Sequence, residues 1–236
     1  MRAQVYSILG EKIEVPVEVR EAQACSSVFP VDPVAVRELL SGTGLEPVRI
    51  AGRALCALAF VRHLDTDLGP YHEFAFAPLA QLPGRRGSAG AYIRWLPVNQ
   101  TFTCAVGREL WGFPKEIADI RIEPHGRGRR CEVRLDGRLV VALDVPGGVP
   151  APAGPVGGSM QTYTHRDGVL RGTPWVMHPA NVRMRPGGSR IELGDHPIAD
   201  EMRALGLPAR ALFTSSFGSL RMTFQEATEI PVQEAR

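Results

Sequence analysis

Most of the periodicity along this chain is two rather than 3.6. Lys12-Ile-Glu-Val-Pro-Val-Glu-Val-Arg20 alternates polar and apolar residues and predicts a half-buried strand. Pro16 lacks an amide donor, which puts that strand at an edge or a bulge. Ala54 to Val61 is continuously apolar and predicts a strand buried on both faces. Tyr71 to Leu79, Ala91 to Leu96 and Phe213 to Phe224 read as further strands. Cys131 to Asp144 predicts a hairpin turning at Asp136-Gly137, because Asp-Gly suits the tight turn that matches strand twist. Asn181 to Leu193 predicts another, turning at Pro186-Gly187-Gly188.

Helical signals are few. Asp32 caps a short helix running to Leu40, with Pro33 in its first turn and Gly42 beyond its end. A second helix is predicted from about Pro197 to Leu205, with Asp195 as its cap and Gly206 and Pro208 as its stop. Val145 to Ser159 is rich in Pro and Gly, but the strands on both sides are alike, so it reads as a loop within one domain. The expected fold is mainly β (α+β), a single domain over residues 1–236. It is a closed or nearly closed antiparallel β-barrel or cone, with two or three short helices packed outside it.

Composition narrows the function classes. With 44% hydrophobic and 22% charged residues the chain is a folded globular protein. A net charge of +2, with Arg85-Arg86 and Arg127-Gly-Arg129-Arg130 beside turn glycines, argues against a nucleic-acid partner. The N-terminus lacks an apolar leader segment, and no apolar run approaches the length that crosses a membrane. Cys25, Cys56, Cys104 and Cys131 stand apart without metal-ligand spacing and read as reduced small hydrophobes in a cytoplasmic protein. The histidines and glycines follow no metal or nucleotide motif, so neither a metal nor a cofactor is expected.

The sharpest chemical signal is the use of cations. The chain has two lysines, Lys12 and Lys115, against 25 arginines. A guanidinium stays protonated, whereas a buried lysine can lose its proton and attack a carbonyl. Lys115 follows a proline in an apolar, aromatic stretch, Ala105-Val-Gly-Arg-Glu-Leu-Trp-Gly-Phe-Pro-Lys115.

That stretch resembles the signature around the Schiff-base lysine of the acetoacetate decarboxylase family. Leu68-Gly-Pro-Tyr71-His-Glu73 is similar to the family's Gly-x-Tyr-x-Glu segment, which carries an active-site glutamate. Leu207-Pro208 to Ser215-Ser216 resembles its final helix-to-strand passage. The resemblance implies a Schiff-base lyase that decarboxylates a β-keto acid through an imine on Lys115, with Glu73 as a second catalytic group. It also implies a homo-oligomer acting on a small carbonyl substrate, without metal or organic cofactor. Trp111, Phe113 and Tyr71 are the candidate substrate-binding residues. Arg20 is the nearest candidate for an arginine that the family carries close to its N-terminus.

The chain departs from the family's pattern in three places. Glu116 stands where the proven decarboxylases have a second lysine, and a carboxylate there favours the charged amine. Either Glu116 turns away, to solvent or to Arg108, or burial by Trp111 and Phe113 supplies the neutral amine. The family's second acid falls at Leu58, within an apolar run. The aldolase and dehydratase branch has glutamine and arginine at the positions of Trp111 and Gly107. A Schiff-base aldolase or dehydratase therefore stands as an alternative, as does a binding protein for small apolar carbonyl compounds that has lost turnover.

Overall fold

The computed structural model describes residues 4–151 and 157–231. In chain order the elements are β1 (Gln4–Ile8), β2 (Glu11–Val15), β3 (Val17–Val31), α1 (Pro33–Leu39), β4 (Glu46–Pro47), β5 (Arg49–Ile50), β6 (Arg53–Thr66), β7 (Tyr71–Gln81) and β8 (Gly90–Tyr92). They continue with α2 (Thr101–Trp111), β9 (Asp119–His125), β10 (Gly128–Leu135), β11 (Arg138–Val145), β12 (Val149–Pro150), β13 (Gly158–Arg166) and β14 (Val169–Pro186). β15 (Arg190–Leu193), α3 (Pro197–Ala204), β16 (Phe213–Phe224) and β17 (Thr228–Ile230) complete the order. Seven strands close on themselves in the order β7-β8-β13-β14-β16-β3-β6, and β6 pairs back onto β7. Every pairing around this barrel is antiparallel except β8 with β13, which is parallel. A second sheet, β15-β11-β10-β9, lies apart from it.

The barrel's two faces are built from different side chains. Leu58, Phe60, Phe74 and Phe76 share one face of β6 and β7, and all are fully buried. They belong to the core cluster that includes Val133, Val141 and Leu143 of the second sheet and Val36 of α1, so this is the outer face. The alternate residues, Ala57, Ala59, Val61 and Ala75, point inward and are only half-buried. A closed barrel has no free edge, and its interior is filled by its own side chains or kept for a ligand. Here several of the inward residues of β6 and β7 are small.

This arrangement corrects several expectations. Of Ala54 to Val61 the outer face is wholly buried, whereas Ala57, Ala59 and Val61 on the inner face are half-buried. Pro16 divides the predicted Lys12–Arg20 strand into β2 and β3. The strand expected at Ala91 to Leu96 is cut to β8. Residues 181–193 are not a hairpin: β14 pairs with β16, whereas β15 pairs with β11. Gly187 and Gly188, both at positive φ, carry the chain from the barrel to the second sheet. Asp136-Gly137 does turn the β10–β11 hairpin, with φ of 49° and 76°. Asp167-Gly168 turns β13 into β14 by the same chemistry. Part of the Val145–Ser159 stretch, residues 152–156, lies outside the described residues. No helix among the described residues is long and apolar enough to cross a membrane.

Caps follow side-chain reach. Asp32 Oδ1 accepts the amide of Val34 at 2.8 Å and starts α1 as expected. At α3 the cap is His196, whose Nδ1 accepts from Ile198, while Asp195 is drawn away to Arg138 at 2.8 Å. Asp32→Ala is expected to lower stability by about 1 kcal/mol in urea unfolding. Asp195→Ala, which removes only an exposed ion pair, is expected to change it by less than about 0.5 kcal/mol.

Candidate active site

The lysine is placed by backbone pairing. The segment after β8 runs beside β7: Phe74 N–H donates to Pro97 O at 3.0 Å, and Glu73 and Val98 form a bridge. Val98 then pairs in parallel with the chain around Ile117, through Val98 N–H to Glu116 O and Ala118 N–H to Val98 O, both 2.9 Å. Residues 114–118 are thus an extended rung of the same sheet, in which successive side chains point to opposite faces. Lys115 emerges on the face that carries Glu73. Glu116 emerges on the other and accepts a hydrogen bond from Trp95 Nε1. Of the two alternatives raised by Glu116, the first holds: it turns away, though to a tryptophan rather than to solvent or Arg108.

Helix α2 supplies the wall behind the lysine. Gln100 Oε1 caps it by accepting from Thr103 N–H at 2.5 Å, and Gly112 ends it in the left-handed conformation at φ 66°. Arg108 Nε donates to Lys115 O at 2.5 Å and ties the helix to the rung. Thr103 and Gly107, one turn apart, share a helix face. The Lys115 side chain lies across that face, so close that a Cβ at residue 107 would stand 2.6 Å from its Cδ and Cε. An arginine at this position has no room while Lys115 keeps its place.

Around the amine the groups are few and buried. Lys115 is 4% exposed. Its Nζ lies 2.8 Å from Glu73 Oε2 and 3.3 Å from Thr103 Oγ1, and 5.2 Å from the centre of the Tyr71 ring. His63 Nε2 stands 3.7 Å from the other oxygen, Glu73 Oε1, and its ring stacks on Tyr71 at 4.0 Å. Neither ring nitrogen of His63 has a hydrogen-bond partner. Burial acts to raise the Glu73 carboxyl, but the Lys115 ammonium and His63 outweigh it and hold its pKa down to about 2. Burial pushes the His63 pKa down, opposed by Glu73. Burial, with Glu73 beside it, lifts Tyr71 well above the ordinary phenol and keeps its hydroxyl protonated. A buried ion pair loses hydration on both partners, so it is a poor device for stability. The contact leaves a buried ammonium and a largely buried carboxylate side by side on the inner face.

The other sequence candidates separate. Tyr71 joins the cluster. Trp111 and Phe113 pack with their rings tilted and 5.6 Å apart in the apolar group shared with Tyr71 and Val98, and Trp111 Nε1 donates to Gln225 O. They keep water from this end of the site. Arg20 is not brought to it: half-exposed, it pairs with Asp65 at 2.8 Å and Asp67 at 2.5 Å. Leu58 faces outward, away from Glu73, so an acid there has no counterpart on the inner face. His63, Thr103 and Gly107 were not singled out from sequence as site residues. The signal available for α2 was Gln100-Thr101 ahead of Cys104, Gly107 and Trp111 at helical spacing. A cavity of about 480 Å³ borders the opposite side of α2 at Ala105, Arg108 and Glu109, away from the lysine. Among the described residues no cluster of three His, Cys, Asp or Glu side chains gathers as a metal site.

The pH dependence of stability carries the signature of the pair. The Glu73 pKa is about 2 in the folded chain against an ordinary 4.5, so its contribution is complete above pH 4.5 and is lost as pH falls toward 2. The stability gap between wild type and Glu73→Gln is expected to narrow across that window when urea unfolding is followed at successive pH values. A constant gap contradicts the pairing.

Comparison with known proteins shows the family and the fold. The sequence profile described as Acetoacetate decarboxylase (ADC) matches residues 10–227. An acetoacetate decarboxylase from Chromobacterium violaceum is 33% identical over 98 residues, 41% of this chain and 37% of that protein's length. Among solved structures, the acetoacetate decarboxylase of Legionella pneumophila aligns with a TM-score of 0.71 at 16% identity, covering 92% of this chain and 87% of that one. An acetoacetate decarboxylase-like enzyme from Sphingomonas wittichii aligns at 0.66 and 17% identity, covering 94% and 96%. The enduracididine biosynthesis enzyme MppR, complexed with pyruvate, aligns at 0.65 and 19% identity, covering 91% and 90%. With most of its length matched by the family profile, the chain belongs to the acetoacetate decarboxylase family.

Proposed function

We propose that this protein is a Schiff-base lyase that decarboxylates a β-keto acid through an imine on Lys115. The observation that carries the reading is the buried Lys115 Nζ, 2.8 Å from Glu73 Oε2 on the inner face of the barrel. In the minor, neutral form of the pair the proton rests on Glu73, and the free amine attacks the substrate ketone. Glu73 returns that proton to the carbinolamine oxygen, which leaves as water. The iminium nitrogen then accepts the electron pair of the breaking carbon–carbon bond. Carbon dioxide departs and an enamine remains. Its protonation at carbon and hydrolysis of the new iminium release the ketone and restore Lys115. Thr103 Oγ1 and the Tyr71 ring hold the amine in line with Glu73. Trp111 and Phe113 exclude water from the wall behind it, which strengthens each of these interactions.

The second reading is a Schiff-base aldolase or dehydratase, favoured by the likeness to MppR, seen with pyruvate and with the condensation product of pyruvate and imidazole 4-carboxaldehyde. Gly107 counts against a keto-acid clamp from α2, because the lysine side chain occupies that space. Both readings fit a single-domain cytoplasmic enzyme. The four described cysteines are free and buried, as suits a reducing compartment. Self-association is supported by Val149 and Met184, cross-strand partners that both expose apolar side chains.

Treatment with acetoacetate and then borohydride is expected to leave a mass adduct on Lys115, and the wild type is expected to release carbon dioxide while Lys115→Ala does neither. An adduct without carbon dioxide release moves the assignment to the aldolase. No adduct with any β-keto or α-keto acid sinks both enzyme readings and leaves a binding protein for apolar carbonyl compounds.

A further inference from the structure

The decarboxylation just described has a proton requirement that Lys115 and Glu73 do not meet between them. Glu73 receives one proton from the lysine and spends it on the departing water. When carbon dioxide leaves, the lysine nitrogen is part of a neutral enamine and Glu73 is a carboxylate again. The enamine carbon then needs a proton that neither group holds.

His63 is the titratable group at the free oxygen of Glu73. It projects from β6 onto the same inner face, 3.7 Å from Glu73 Oε1, while Lys115 occupies Oε2 at 2.8 Å. The carboxylate therefore stands between amine and imidazole. His63 is 2% exposed, and both of its ring nitrogens lack a partner. A buried polar group without a partner costs stability, so its retention calls for a reason. The Tyr71 ring fixes the imidazole plane by stacking, without occupying either nitrogen. The charged and titratable groups that face it are Glu73 and Tyr71 from β7 and Lys115 beyond the carboxylate; β3 presents Ala22 opposite it. The neighbouring His72 turns its Nδ1 to Ile120 O.

We propose that His63 is the proton relay that reloads Glu73 for protonation of the enamine, a positioning residue acting through the carboxylate. The inference rests on the imine reading of Lys115. In this step protonated His63 gives its Nε2 proton to Glu73 and becomes neutral. Glu73 passes a proton to the enamine carbon. The carbon–carbon double-bond pair forms the new C–H bond, and the nitrogen lone pair forms the iminium. One proton is consumed per turnover, as loss of carbon dioxide from a carboxylate requires, and solvent replaces it on His63 between turnovers. The electrostatics favour this timing. The positive charge on Lys115 and burial both oppose a charged imidazole, while Glu73 favours it. When the enamine forms, the lysine's opposition vanishes and the attraction of Glu73 remains. The imidazole therefore holds its proton best in the one state that calls for one.

The enamine step can be read separately from decarboxylation, because a ketone bound as an imine exchanges its α-hydrogens through the same enamine. Acetone in deuterated water is the probe, with exchange followed by NMR and the imine trapped in parallel by borohydride. His63→Gln keeps an amide donor toward Glu73 but cannot relay a proton. It is expected to trap acetone on Lys115 as the wild type does, while exchange slows by about 100-fold, within the range for general acid–base catalysis, and loses its dependence on pH. His63→Asn is expected to show the same split. Exchange at the wild-type rate with an unchanged pH profile overturns the relay. Loss of trapping together with exchange in a folded variant also overturns it, since His63 then serves imine formation. A wild type that forms no adduct with acetone or acetoacetate overturns the imine reading itself, which distinguishes the two failures.

Discussion

The contact between Lys115 and Glu73 is the constraint around which the inner face of the barrel is arranged. Two opposite charges at 2.8 Å, one almost wholly removed from water, lose most of their hydration. Apolar residues of similar volume often fill such a space with no loss of stability. The pair is therefore not explained by the fold's need to hold together, which the outer-face cluster of Phe60, Phe74, Phe76 and Leu143 meets. What the pair provides, on the proposed reading, is an amine in contact with a carboxylate that can exchange a proton with it. Thr103, Tyr71 and His63 add directional contacts to one partner or the other without neutralising either.

Keeping that pair clean depends on backbone geometry more than on side-chain choice. Lys115 and Glu116 are adjacent in sequence and opposite in charge, yet the extended rung beside Val98 sends them to opposite faces. Trp95 then fixes the outward carboxylate through its indole N–H. The same logic applies to Gly107. The lysine stem needs the space that any side chain there would take, so the helix approaches the rung closely only because that position has no Cβ. Arg108, one residue on, locks the two together at the Lys115 carbonyl.

Local chemistry made part of this legible from sequence. Asp136-Gly137, the Asp32 cap and the alternating burial from Lys12 to Arg20 are governed by neighbours a few residues away, and they read correctly, although Pro16 divides that strand in two. The scarcity of lysine and the Ala105–Lys115 motif pointed to the amine, and Gly69 to Glu73 pointed to its partner. What escaped was set by distant pairing. Gly187-Gly188 looks like a hairpin turn, but β14 and β15 find partners in different sheets. Asp195 is a good cap residue, but Arg138, 57 positions away, claims it. His63 follows Arg62 just past the apolar run and reads as an ordinary polar-face residue until the β6–β7 register brings it diagonally to Glu73. Leu58, by contrast, is at a spacing that suggests the site and on the face that excludes it. Arg20 has the right charge and the wrong neighbours, since Asp65 and Asp67 hold it outside.

The faces of β6 and β7 show how one apolar run can serve two purposes. Read as a line, Ala54 to Val61 has no polar–apolar alternation, yet its stretch from Ala57 to Phe60 alternates in volume. The large residues of that stretch, Leu58 and Phe60, lie outward with Phe74 and Phe76 and close-pack against the second sheet. Its small ones, Ala57 and Ala59, face Ala75 and Ala77 across the strand pair on the inner side. Close packing outside gives the barrel wall its stiffness, since interiors at that density resist local movement. The small residues inside, Ala57, Ala59 and Ala75, lie on the face that carries Glu73. A wall with the large and small positions exchanged would be equally hydrophobic and would bury its lysine under phenylalanine. The site is thus specified by the phase of side-chain size along the strand, which hydrophobicity alone does not record.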